Sequence, residues 1–256
     1  MAAECDFVDK YARIDLHAYF LLPESGSWNR FYRVLIKYKR KISACRKKIK
    51  CKAARKCEKE SKMSEQQKYS NVTKDYLCRF YEILSDMIKG MTEAELTCSI
   101  SHNFIVQMIP HHMAAIKMSE NILKYTTWIE VQEIAENIIV SQTKSIENME
   151  KALAKCSELK NSENDLCLYG HNFDMITNTM FTEMHDAPAV NNVNADFMRE
   201  MIPHHQGAIR MSENALRFEI CSELIPILDA IIISQREGVR EMERLLSTMC
   251  STACVE

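Results

Sequence analysis

The sequence predicts an all-α protein, a helical bundle built from two tandem repeats with a basic amphipathic helix ahead of them. Glycine and proline number five each in 256 residues, too few for the turns of an all-β sandwich or barrel. Apolar residues recur at the three- and four-residue spacing of an α-helix. A stretch of twenty residues recurs 93 positions further along the chain. With 46% hydrophobic and 27% charged residues, the chain can bury a globular core.

Residues 1–70 form the first unit, and residues 29–60 are predicted as one amphipathic helix. Between residues 30 and 62 fifteen Lys or Arg stand against two Glu, a net charge of +13 that leaves −15 for the rest of the chain. Such a segment could contact nucleic acid or an anionic membrane. The favoured interpretation is a solvated face, or docking on the acidic helices that follow.

The remainder is predicted as two repeats, residues 71–160 and residues 164–253. Residues 104 onward read FIVQMIPHHMAAIKMSENIL and residues 197 onward read FMREMIPHHQGAIRMSENAL, identical at thirteen of twenty positions. Three helices are expected in each repeat, and in the second they cover residues 168–185, run from Asn194 or Asp196 to Phe218, and follow a stripe from Leu228 to Leu246. A unit with so few apolar stripes covers its core poorly, so we expect the repeats to pack as one pseudo-twofold bundle.

The motif Met-Ile-Pro-His-His, at residues 108–112 and 201–205, suggests a metal site in each repeat. Its proline predicts a kink or a helix start. In a helix both imidazoles can lie one turn from the preceding thioether. Thioether favours Cu(I), and imidazole also accepts other transition metals. The candidate ligands are Met87, Met91, Met108, His111, His112 and Met118, then Met180, Met184, His185, Met201, His204, His205 and Met211.

Each of these residues also has a structural interpretation. Methionine at helical spacing commonly fills irregular gaps in a core, and a histidine on an apolar face can be a packed core residue. Gln142 and Gln235 lie on apolar stripes, where we expect hydrogen bonds across the bundle. The eleven cysteines show no Cys-x-x-Cys spacing and are expected to be buried or inert thiols, with a smaller chance of adding Cu(I) ligands.

The sequence carries no familiar signature of an enzyme, a membrane protein or an exported protein. No Glu stands three residues before a His, as a ferritin-type di-iron centre needs, and zinc-protease, P-loop and nucleophile-elbow motifs are absent. We therefore expect a protein that is not an enzyme. No apolar run approaches a membrane span, and the start of the chain lacks a secretory signal. The expected location is the cytoplasm, where thiols stay reduced.

The second repeat resembles the family described as domain of unknown function 305, a ferritin-like helical family that includes CopM-like bacterial copper-binding proteins. The resemblance covers residues 71–250 and is carried by Asp196-Phe-Met-x-x-Met-Ile-Pro-His-His-Gln-Gly-Ala-Ile-x-Met. It implies a ferritin-like fold and metal ligands at Met184, His185, Met198, Met201, His204, His205, Met211 and Met242. The first repeat matches at Met108, His111, His112, Met118 and Met149. It departs at Thr92, Ile105, Met113 and Ala114, which implies a weaker or altered first site.

Three functions remain open from the sequence. The first is metal binding, most simply Cu(I) buffering, storage or resistance, with the metal ion as partner and with self-association as a further option. The second is a structural or interaction protein with a methionine-rich core and a basic docking helix. The third and least favoured is a metal-dependent redox enzyme.

Overall fold

The structure is a computed structural model that describes residues 69–252, and over that range it consists of α-helices without a β-strand. The helices are α1 (Asn71–Thr92), α2 (Ile100–Ile122), α3 (Ile129–Cys156), α4 (Glu163–Asp186), α5 (Val193–Ala215) and α6 (Ile225–Thr252). The all-α prediction is therefore confirmed. The basic helix predicted over residues 29–60, and the surface considered at residues 30–62, lie outside the described residues.

Several helices begin where a polar side chain accepts hydrogen bonds from the first free backbone N–H groups. The capping residues are Ser70 for α1, Ser99 for α2, Ser162 for α4 and Asn192 for α5. The predicted start of α5 at Asn194 or Asp196 is therefore wrong by a few residues. Asp196 lies instead in the first turn, where its side chain is buried.

Helices α2 and α5 occupy matching places in the two halves of the chain. They begin at Ile100 and Val193 and each contains 23 residues, so their ends keep the 93-residue offset of the sequence. Pro110 and Pro203 lie inside these helices. Of the two predicted alternatives at the proline, a helix start is therefore wrong.

Consecutive helices pack against one another within each half, α1 on α2 and α2 on α3, then α4 on α5 and α5 on α6. Short connections make such neighbours antiparallel. The halves meet mainly through α2 against α5, with further contacts of α3 with α6 and of α1 with α5. Helices α2 and α5 are thus the two central helices, and residues on their facing sides lie deepest in the molecule.

The core contains aromatic rings, branched aliphatic chains and many thioethers. Its largest fully buried side chains include Tyr76, Phe80, Phe104, Phe181 and Phe197. None of the helices within residues 69–252 has the length and apolar character needed to cross a bilayer.

A disulfide joins Cys156, at the end of α3, to Cys221 in the connection between α5 and α6. The expectation of inert thiols is wrong for this pair, because 65 residues separate the cysteines in sequence while their Cα atoms lie 5.3 Å apart. The Ser99 hydroxyl donates to the carbonyl of Cys156, and the N–H of Cys221 donates to the Ser101 hydroxyl. The end of the first half is thereby fixed to the second.

Cys221→Ser should lower the free energy of unfolding by about 2–4 kcal/mol, because a cross-link over so long a loop restricts the unfolded chain. Urea denaturation of the oxidised protein measures the change. Cys167, an exposed free thiol, provides the control, and Cys167→Ser should leave the midpoint in place. Equal midpoints for the two variants would contradict a stabilising disulfide.

Candidate metal centre

The two His-His pairs follow the prolines of α2 and α5, where the helices of the two halves meet. Proline lacks an N–H, and its ring crowds the preceding turn of its own helix. At Gly90 of α1 a Cβ atom would lie 2.7 Å from the Cβ of Pro110. The absence of a side chain at Gly90 therefore lets α1 pack closely over the proline that precedes the first pair.

The four imidazoles form a buried cluster across the interface between the halves. The rings of His111 and His204 are stacked, with centroids 3.7 Å apart and planes inclined by 30°. His112 lies 5.8 Å from His111, and His205 lies 5.9 Å from His204. Each of the four side chains is at most 2% exposed. The sequence predicted one pair in each repeat, and the structure brings the pairs together.

Few of the ring nitrogens have hydrogen-bond partners. His204 donates through Nε2 to the carbonyl oxygen of His111 at 3.2 Å, and His112 Nε2 lies 3.1 Å from the hydroxyl of Ser145. Buried atoms without a partner are His111 Nε2 and the Nδ1 atoms of His111, His112, His204 and His205. Buried polar atoms are almost always paired, and an unpaired group indicates strain, a bound water or a bound ion.

Burial keeps the four imidazoles neutral, and at His111, His112 and His204 the charge that a neighbouring imidazole would carry adds to the effect. Burial lowers the pKa of His112 to about 3 and that of His205 to about 4, and the neighbouring imidazole charge adds to the effect at His112. The pKa values of His111 and His204 are also lowered, first by burial and then by the surrounding histidines. Neutral rings with free lone pairs are the form of histidine that binds metal ions.

The candidate methionines are all buried, at no more than 2% exposure. They are Met87, Met91, Met108 and Met118 in the first half, and Met180, Met184, Met201 and Met211 in the second. Met180 of α4 lies directly against α5, because a Cβ atom at Gly207 would come within 3.0 Å of its sulfur. Met108 and Met201 each lie one turn before a His-His pair, on the helix that carries it.

The remaining candidate, His185, is the last residue but one of α4, and it contacts residues outside the cluster. Its Nδ1 lies 2.6 Å from Oδ1 of Asp186, and its ring is 6.0 Å from that of Tyr81.

Two buried glutamines behave differently from the expectation of hydrogen bonds across the bundle. Gln142 has no partner for either side-chain polar atom, and Gln235 has none for its Oε1. The expectation is wrong for these atoms. Sequence spacing predicts that these positions are buried, but it does not show whether a donor or acceptor of another helix reaches them.

Two acidic residues of α5 that were not predicted as functional are buried near the start of that helix. The Tyr76 hydroxyl of α1 donates to Oε2 of Glu200 at 2.7 Å, and the Val190 N–H donates to Oδ1 of Asp196. Burial raises the pKa of Asp196 to about 6 and raises that of Glu200 well above its ordinary value. Asp196 Oδ2 has no partner.

The matching positions of the first half carry neutral side chains. Asn103 stands where the second half has Asp196, and Gln107 stands for Glu200. The Thr97 N–H donates to Oδ1 of Asn103 at 2.7 Å, the same distance as the bond from Val190 to Asp196. The backbone arrangement is thus kept while the charge differs. An alignment of the two repeats contained this signal.

No group of three His, Cys, Asp or Glu side chains within the described part of the chain is arranged to hold a metal ion. The donor chemistry nevertheless fits a soft cation, since unpaired imidazole nitrogens lie in a core rich in thioethers. A ligand set drawn from this centre would combine imidazole with thioether.

Comparison with known proteins gives a family. Residues 101–246 match the family described as domain of unknown function (DUF305). The chain belongs to the DUF305 family. Its DUF305 region runs from the first turn of α2 into α6 and contains all four clustered histidines.

One solved structure is similar to this DUF305 protein, a crystal structure of a DUF305 fragment from Deinococcus radiodurans. It is 25% identical with a TM-score of 0.42, over 58% of this chain and 96% of that one. No curated protein matches.

Tyr76→Phe should reduce the free energy of unfolding by about 1–3 kcal/mol, because the buried Glu200 carboxyl loses its hydroxyl donor. Tyr169→Phe is the matched control in the other half, since the Tyr169 hydroxyl has no hydrogen-bond partner. Its removal should be neutral or stabilising. Urea denaturation compares the two variants, and equal losses would contradict a specific role for the bond to Glu200.

The metal-free protein should lose stability through its histidines as the pH falls below about 6.5. The unfolded imidazoles take up protons near that pH, whereas His112 stays neutral in the folded protein down to about pH 3. Each such group contributes about 1.4 kcal/mol per pH unit over this window. Urea denaturation at about pH 6 and about pH 5 should therefore show a smaller acid loss in His112→Gln than in the wild type.

Asp196 and Glu200 act in the opposite direction, because acids with a raised pKa in the folded state stabilise it as the pH falls. Both acids are present in both proteins, so the difference between His112→Gln and the wild type isolates the imidazole. Parallel pH dependences of the two proteins would show that His112 takes up a proton in the folded state at an ordinary pH.

Proposed function

We propose that this protein binds Cu(I), for buffering, storage or resistance, through histidine and methionine side chains around the cluster at the α2–α5 interface. The observation that supports the proposal best is the set of buried ring nitrogens without partners. An unpaired buried polar group costs about 1–3 kcal/mol. A bound cation would remove that cost, because the unpaired ring nitrogens would coordinate it.

The chemistry of the donors favours Cu(I) over harder ions. Thioether and neutral imidazole are soft or borderline ligands without charge, whereas Mg²⁺, Ca²⁺ and Mn²⁺ prefer oxygen. The buried carboxylates Asp196 and Glu200 already accept hydrogen bonds, from the Val190 N–H and from the Tyr76 hydroxyl. In this proposal imidazole nitrogens supply part of the site, and a thioether such as Met108 or Met201 completes it in each half.

The finer relationships are also proposals. The 93-residue offset and the matching bounds of α2 and α5 support two tandem copies of one unit. A ferritin-like arrangement and kinship with CopM-like copper-binding proteins rest on the Met-x-x-Met-Ile-Pro-His-His motif. For location, the Cys156–Cys221 disulfide favours an oxidising compartment, which is evidence against the cytoplasmic prediction.

A specific observation also favours the second function, a protein whose methionines only pack the core. Every candidate methionine is almost completely buried, and a flexible thioether chain fills such spaces well. On this alternative, copper uptake is absent and replacement of a thioether by leucine changes stability alone.

Anaerobic titration of the metal-free, disulfide-bonded protein with Cu(I), against a colorimetric competing chelator, distinguishes the two functions. We expect tight uptake that falls in His111→Gln/His112→Gln and in His204→Gln/His205→Gln. Met201→Leu should weaken uptake by the second half. Met113→Leu is the control, because Met113 is 41% exposed on the same helix as the first His-His pair.

Uptake unchanged in both double histidine variants would contradict the proposed site. Uptake lost only after cysteine alkylation would assign the chemistry to thiols. Circular dichroism of each variant shows whether the helices are retained, so that loss of binding is not mistaken for unfolding.

A further inference from the structure

Two of the four clustered imidazoles, those of His112 and His204, have one ring nitrogen in a hydrogen bond and the other without a partner. All four Nδ1 atoms are buried and without a partner. The hydrogen bonds of the cluster are instead made at Nε2, by His204 to a carbonyl oxygen and by His112 with a hydroxyl. In His112 and in His204, therefore, Nε2 makes a hydrogen bond and Nδ1 makes none.

The tautomer of His204 follows from its partner. A carbonyl oxygen only accepts hydrogen bonds, so His204 must carry its proton on Nε2, where the carbonyl of His111 lies 3.2 Å away. A neutral imidazole has one N–H. Nδ1 of His204 therefore presents a lone pair inside the core.

His112 has a partner of a different kind, the Ser145 hydroxyl of α3 at 3.1 Å. A hydroxyl can donate or accept, so the bond alone allows either tautomer. Donation from Ser145 would place the imidazole proton on Nδ1, which is buried and has no acceptor. Orphaned buried N–H groups are rare. Acceptance by Ser145 leaves only a lone pair unpaired.

We infer that Ser145 is a positioning residue that accepts a hydrogen bond from Nε2–H of His112 and thereby keeps Nδ1 of His112 as the buried nitrogen that carries no proton. His112 and His204, one from each half, then present the same atom in the same protonation state. The assignment deepens the proposed function, on which it rests for its metal, by naming the nitrogen that would bind the ion.

The second half lacks this device. The position that matches Ser145 is Gly238, and a Cβ atom there would lie 3.0 Å from Cδ2 and 3.1 Å from Nε2 of His205. His205 therefore packs directly on the α6 backbone, with no hydroxyl at that position. The two His-His pairs share a motif in sequence and differ in what orients the second imidazole.

Outer hydrogen bonds of this kind fix the ring orientation and the tautomer of metal-binding histidines, and their loss commonly weakens metal binding 10- to 100-fold. Ser145→Ala should therefore weaken Cu(I) binding by the first half about tenfold. Ser145→Thr, which keeps the hydroxyl, should restore it. Ser141→Ala is the matched control, since Ser141 lies one turn earlier on α3 and bonds the carbonyl of Ile138.

The direct test is nitrogen-15 NMR of the histidine rings in the full, metal-free chain at neutral pH, with the His112 signals identified by their loss in His112→Gln. We expect the Nε2–H tautomer for His112 and His204 in the wild type. In Ser145→Ala, His112 alone should change to a mixture of tautomers, while Ser145→Thr and Ser141→Ala keep the wild-type spectrum.

A wild-type His112 that carries its proton on Nδ1 overturns the inference. So does a Ser145→Ala protein whose His112 tautomer is unchanged. Failure of Cu(I) to bind, together with the expected tautomers, overturns the proposed function and leaves the assignment of Ser145 standing. Urea denaturation of Ser145→Ala separates a loss of ring orientation from a loss of stability.

Discussion

The rest of the structure depends on keeping neutral histidine rings in a buried contact between two helices. His111 and His204 stack where α2 crosses α5, and no charge compensates their burial. Polar nitrogens are withdrawn from water there without full replacement of their hydrogen bonds, which is costly unless the surrounding packing imposes it. The close approach of Gly90 to Pro110, and of Gly207 to Met180, indicates how tightly the flanking helices hold the two central ones.

The two halves share the same arrangement of helices but differ in the polar side chains that they bury. Identical residues fill the stripe from the aromatic ring through the proline to the last methionine, so α2 and α5 start and end in register. Around that common stripe the second half introduces buried acids where the first has amides. It also has Gly238 at the position that matches Ser145, whose hydroxyl contacts His112 in the first half. Similar sites on one frame can therefore differ in charge and in the orientation of their ligands.

The helices and their approximate ends could be predicted from the sequence. The spacing of apolar residues and the capping residues are determined by neighbours within a few positions along the chain. The proline of each motif showed the limit of that reasoning, because a proline is compatible with the first turn of a helix as well as with a kink inside one, and both Pro110 and Pro203 lie inside helices. The stacking of His111 on His204 and the disulfide are set by how the halves dock, which periodicity does not contain. Glu200 was detectable only by comparison with Gln107, because an acid on a helix is ordinarily exposed.

The histidine cluster forms only when the two halves of the chain come into contact, because each half supplies two of its imidazoles. Most contacts join helices adjacent in sequence, and such local pairings close with little loss of chain entropy. Contact between α2 and α5 joins residues of the two halves that are far apart in sequence, so it needs both halves to be present. On the ribosome, the first His-His pair would emerge long before its counterpart in α5 had been synthesised. Until the second half is made and docked, the imidazoles of the first remain open to water and to other ions.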